Sequence, residues 1–80
     1  MEDLLRRITF NKDVLCGKPI IRGLRMSVEA VLKLLAEGAT EQEILEDYPE
    51  LEPDDIRAIL LYAQHMVAKE DVFDRVGAQG

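Results

Sequence analysis

Eighty residues, 48% of them apolar and 32% charged, with a net charge of −6 at pH 7, describe one globular domain and leave no length for a second. A chain of this size buries only roughly 60% of the surface it exposes when unfolded, so oligomerisation or a partner would help to hold it. No apolar run approaches the ~20 residues that cross a bilayer, and the acidic start Met1-Glu2-Asp3 is unlike a secretory signal, which points to a cytoplasmic chain without membrane contact.

In chain order, Leu4 and Leu5 allow a short first helix, but no cap precedes them and the segment equally suits a frayed end. Ile8-Thr9-Phe10 is β-prone, Asn11-Lys12-Asp13 is turn-like, and Gly17-Lys18-Pro19 punctuates before a second β-prone run, Ile20-Ile21. This is the pattern of strand, turn, strand. Gly23 breaks the run, and Leu24-Arg25-Met26 leads extended into a helix capped by Ser27.

Val28, Val31, Leu32 and Leu35 recur at helical spacing and predict a helix from Val28 to Glu37, ended by Gly38. Thr40 with Glu43 three residues on predicts a capping box, opening a helix with Ile44 and Leu45 inward. That helix stops near Asp47-Tyr48, because Pro49 disfavours helical geometry in the residue before it. Pro53 suits the first position of a further helix, and Glu52, Asp54 and Asp55 complement its dipole. Its inward stripe is Ile56, Ile59, Leu60, Ala63 and Val67, and it runs to Ala68 or Lys69. The expectation is a single domain over 1–80, mainly α, with a β-hairpin segment at 8–26, a three-helix core at 27–69 and a C-terminal tail at 70–80.

Charge divides unevenly. Through Lys33 seven basic residues face four acidic ones, whereas from Leu34 onward three basic residues face twelve acidic ones. A contact with nucleic acid or another polyanion therefore belongs to the N-terminal half, where Lys18, Arg22 and Arg25 are the candidates: paired strands can present arginines as a fork for phosphate or carboxylate. The alternative is internal pairing, Arg25 with an acid such as Glu29. The last two helices have the spacing of a helix-turn-helix, yet the final helix begins with Glu50, Glu52, Asp54 and Asp55 against Arg57, which repels a phosphate backbone.

Catalytic patterns are weak. His65 has no second histidine or nucleophile to pair with, Cys16 reads as a small turn-packing residue, and the acids from Asp47 to Asp55 lack the loop spacing and glycine of a calcium loop. One cysteine and one histidine leave no Cys-rich zinc module. More suggestive is the surplus of apolar side chains on the last helix and tail. Leu61, Tyr62 and Met66 exceed what one small core needs, and Tyr62, Met66, Phe73 and Val76 share a face if the helix continues. These are the candidate partner-protein or dimer contacts, unless Phe73 folds back on the core.

Together, Ile8-Thr9, the run Gly17-Lys18-Pro19-Ile20-Ile21-Arg22-Gly23, Arg25, Val28, Gly38-Ala39-Thr40 and Glu43-Ile44-Leu45-Glu46-Asp47-Tyr48-Pro49-Glu50-Leu51 look like the prokaryotic domain-of-unknown-function family 433. The likeness spans about residues 8 to 66. It implies a homeodomain-like helix-turn-helix core of three helices preceded by a short β-hairpin, and an antitoxin role of the VapB type: binding and silencing a PIN-like ribonuclease toxin, with repression of its own operon as a second activity. Two positions depart from the family pattern: Leu24 replaces threonine, and Glu52 replaces a Ser or Thr cap. The expected function is thus a homodimeric, non-enzymatic, antitoxin-like protein with no cofactor and no metal, its tail on the partner. The alternative is a dimeric DNA-binding regulator using the basic hairpin.

Overall fold

A computed structural model of the chain describes residues 2–69. The order is helix α1 (Glu2–Leu5), strand β1 (Ile8–Thr9), a 3-10 turn (Leu15–Gly17), strand β2 (Ile20–Ile21), then helices α2 (Val28–Ala36), α3 (Glu41–Asp47) and α4 (Pro53–Lys69). The architecture is mainly helical with a short antiparallel hairpin, in which Ile8 faces Ile21 and Thr9 faces Ile20. Among the described residues there are four helices rather than three, because Glu2–Leu5 does fold.

The capping chemistry sets the helix limits. Ser27 accepts the Ala30 amide at α2, and at α3 the box closes both ways: Thr40 Oγ1 accepts the Glu43 amide at 3.1 Å, and Glu43 Oε1 accepts the Thr40 amide at 2.8 Å. Helix α2 stops at Ala36, one residue before the sequence-based limit, with Glu37 as its cap. The amides of Gly38 and Ala39 turn back to the carbonyls of Leu35 and Leu34. That pair of bonds is a Schellman motif, and it needs the left-handed residue that Gly38 supplies at φ 104°.

Strand β2 also pairs forward. The Ile21 amide donates to the Met26 carbonyl and Ile20 bridges Ser27, so the chain doubles back through Arg22 and Gly23, both at positive φ (46° and 73°). The turn is closed by the Leu24 amide on the Ile21 carbonyl at 2.7 Å. Leu24 itself packs half-buried against the core, and the hydroxyl that fixes this turn comes from Thr9, whose Oγ1 accepts the Gly23 amide at 3.0 Å.

The core gathers Ile8, Ile21, Val28, Val31, Ile44, Leu51, Ile56, Ala58 and Ile59. Ile20 is buried as well, on the opposite face of its strand. Helix α4 packs on α1, β1, α2 and α3. Leu51 and Ile56 take the positions of a hydrophobic staple, both buried, which fixes the angle at which the chain enters α4.

The inward stripe of α4 differs from the sequence pattern. Ile56 and Ile59 are buried and Ala63 half-buried, but Leu60 and Val67 are exposed, and Asp55 and Ala58 are buried in their place. The cover ends early: every residue from Gln64 to Lys69 is exposed, so the helix runs beyond the elements that bury its first half. None of the described helices is long and apolar enough to cross a membrane.

Candidate partner-binding face

Two side chains of the N-terminal half close on the first turn of α4. Asp55 is fully buried, and its carboxylate takes Nε and Nη2 of Arg22 at 3.0 and 2.9 Å, Nη1 of Arg7 at 2.9 Å and the Glu52 amide at 2.8 Å. Arg22 also donates to the Glu50 carbonyl at 2.7 Å, and Arg7 to Glu52 Oε1 at 2.8 Å. Burial by itself would push the Asp55 carboxyl up, but the bonds from Arg22, the Glu52 amide and Arg7 outweigh it and hold the group below its ordinary value. Arg7 is raised, chiefly by its hydrogen bonds to Glu52 and then Asp55, and Arg22 chiefly by its bonds to Asp55.

Asp55 therefore does more than complement a helix dipole. It ties α1 and the β-hairpin to α4, a role that reading it as a complement to the helix dipole missed. The spacing carried a signal: Asp55 lies four before Ile59 and seven before Tyr62, on one side of the helix. Glu52, in place of a hydroxyl cap, anchors Arg7, while the N-terminal Glu52 amide is satisfied by Asp55 instead.

The three basic candidates do not form one fork. Arg22 is turned inward onto Asp55, which corrects the expectation that it is free for a phosphate. Lys18 pairs with Glu29 at 3.0 Å, and it is Lys18, not Arg25, that takes that acid. Arg25 is exposed, makes no ion pair among the described residues, and lines a separate cavity beside Leu34 and Tyr48.

The apolar candidates divide as well. Tyr62 and Met66 line an open groove of about 330 Å³ between α2 and α4, with Pro19, Leu32, Ala63 and Val67. Glu29 stands on its rim. Phe10, 60% exposed, extends the surface from the β1 side, its ring 6.3 Å from that of Tyr62 and tilted by 55°. Leu61 is half-buried and does not line the groove. Phe73 and Val76 lie outside the described residues.

This face is apolar at its centre. His65 is exposed, as is Cys16, which sits at φ 58° in the 3-10 turn. Among the described residues no three His, Cys, Asp or Glu side chains are grouped to hold a metal. Away from the groove, α3 and the start of α4 carry a run of exposed acids, Glu41, Glu43, Glu46, Asp47, Glu50, Glu52 and Asp54.

Comparison with known proteins agrees with the motifs. The family model for protein of unknown function DUF433 matches residues 8–63. An uncharacterised protein of Sinorhizobium fredii, y4eO, is 35% identical over 57 residues, 71% of this chain but 26% of its own length, so the chain spans about a quarter of that relative. The crystal structure of a DUF433 member from Anabaena variabilis superposes with a TM-score of 0.74 at 27% identity, covering 88% of this chain and 69% of that one.

Proposed function

The chain belongs to the DUF433 family of proteins of unknown function, and we propose that it is a non-enzymatic, antitoxin-like protein that binds a partner protein on the apolar face of α4. The observation that carries this reading is the groove of Tyr62, Met66, Val67, Leu32 and Pro19, flanked by an exposed Phe10. A contiguous apolar surface of this kind on so small a chain is a docking face, and aromatic and methionine side chains are those that interfaces favour. A helix with apolar anchors seats there in the manner of helix-in-groove recognition.

The exposed acids of α3 and early α4 lie off the groove, and their field favours the approach of a basic partner. They suit a basic protein surface, which agrees with a PIN-like ribonuclease toxin whose nucleic-acid groove an acidic inhibitor would mask. The scaffold in this reading is a homeodomain-like helix-turn-helix made of α2, α3 and α4. The alternative of a dimeric DNA-binding regulator has less support, because Lys18 and Arg22 are already matched to carboxylates and the start of α4 is acidic.

The experiment is co-expression of the tagged full chain with the protein encoded beside it, followed by measurement of the mass of what co-elutes. Stoichiometric recovery, lost on Met66→Lys but kept on Lys33→Gln, supports the reading. A chain that elutes alone, or a complex indifferent to Met66→Lys, overturns it; a Met66-dependent homodimer instead assigns the face to a second copy.

A further inference from the structure

On the other side of α2 from the groove lies a second cavity, of about 350 Å³, within the range of small-ligand pockets. Leu15, Met26 and Leu34 give it apolar walls, and its polar groups are Arg25, Ser27 and Tyr48. We infer that it binds a small carboxylate with an apolar body, an aryl or alkyl carboxylate held by Arg25. The inference is independent of the partner-protein reading.

Three observations converge. Arg7, Lys18 and Arg22 each have a carboxylate partner, whereas Arg25, like Arg6, Lys12, Lys33 and Lys69, has none among the described residues, and of these five it is Arg25 that lines this cavity. Its planar fork is matched to a carboxylate in two-point contact. Second, the other polar residues of the lining, Ser27 and Tyr48, carry hydroxyls. Ser27 Oγ accepts the Ala30 amide at 3.0 Å, which occupies a lone pair and leaves its own proton to donate, and the Tyr48 phenol can donate as well. No acid lines the cavity, so a bound carboxylate meets no opposing charge.

Third, Leu15 is held at φ 49° and is 38% exposed, so a leucine in a costly backbone conformation lines the cavity while partly in water. The apolar body of a ligand would cover it. The α2–α4 groove offers the internal contrast: its lining is the more apolar of the two, and the charged residue in it is Glu29. A carboxylate therefore selects between the two, and an uncharged isostere does not.

The test is a titration of the full chain, followed by amide chemical shifts, with 4-phenylbutyrate and with its uncharged amide, 4-phenylbutyramide. The acid is expected to shift the amides of residues 25–31, Leu34 and Tyr48 along a saturable curve, with the amide binding at least about ten-fold more weakly, the scale of one lost charge-assisted contact. Arg25→Gln should erase the difference between the two compounds and Arg25→Lys should keep part of it, while Lys33→Gln, a cation outside the cavity, changes nothing. Because Arg25 is exposed and unpaired, these variants keep the fold; Ala30→Leu, which narrows the cavity on an exposed helix position, should weaken both compounds. Absence of saturable shifts with the acid, equal affinity for acid and amide, or shifts confined to Tyr62 and Met66 would overturn the inference.

Discussion

Arg22 and Asp55 meet side-on across 33 residues of chain, Nε to Oδ1 at 3.0 Å and Nη2 to Oδ2 at 2.9 Å, and this pair joins the β2 turn to the first turn of α4. The carboxylate is fully buried while the guanidinium is one-third exposed, so the two partners are not equivalent. Losing Arg22 leaves a buried charge with fewer donors; losing Asp55 frees two arginines that water can reach.

Arg22→Ala is accordingly expected to cost about 3 kcal/mol, the lower end of the range for breaking a buried pair, because Arg7 and the Glu52 amide still serve the carboxylate. Arg7→Ala costs less, since it leaves the two-point contact intact. Urea denaturation of both single variants and the double variant measures this. If the two losses simply add, the three groups do not act as one unit.

Acid should loosen the same joint. Asp55 is held below its ordinary value in the folded chain, so its contribution to stability is complete above the unfolded carboxylate value of about 4 and is lost as pH falls through the lower, folded one. Stability measured from pH 7 downward should therefore drop below about pH 4. Asp55→Asn should start less stable at pH 7 and show a shallower decline over that acid interval. An unchanged slope would mean that other carboxylates govern acid unfolding.

Backbone strain gives a pair of opposite signs. Gly23 sits at φ 73° with open space where a Cβ would go, so Gly23→Ala is expected to cost about 1 kcal/mol from conformation alone. Cys16, exposed and at φ 58°, already bears that strain. Cys16→Gly should therefore be neutral or stabilising by up to ~1 kcal/mol, where a glycine substitution normally destabilises. Thermal unfolding of the two variants under reducing conditions decides it.

Local chemistry was legible in the sequence wherever one residue's neighbours sufficed. Ser27, the Thr40–Glu43 box, Pro49 and Pro53 each act within four residues, and the helix limits they implied hold to within one residue. The β1–β2 pairing was legible too, because Ile8 and Ile20-Ile21 bracket a turn-rich stretch. What was illegible is long-range: which acid a basic residue meets depends on how α4 lies across the hairpin. Asp55 looks like any acid at a helix start until Arg7 and Arg22 are brought to it. The stripe through Leu60 and Val67 failed for a related reason, since periodicity gives a face and not the point at which its cover ends.

That uncovered end of α4 makes the last prediction, because it separates binding from folding. Met66 is 40% exposed and Val67 37%, beyond the turns that carry Ile56 and Ile59, so their side chains add little to the core. Met66→Lys should leave stability within about 0.5 kcal/mol of the parent, as surface substitutions do. At an interface the same change puts a desolvated charge at the centre of the patch and should weaken association by about 100-fold or more. Tyr62→Ala is the less clean variant, because the ring also packs on the core and on Phe10, and it should lose stability and binding together. Sedimentation of the full chain, alone and with its partner, reads the association, and urea denaturation reads the fold. A Met66→Lys chain that unfolds early would place Met66 in the core, and one that is stable and associates normally would remove the groove from the binding surface.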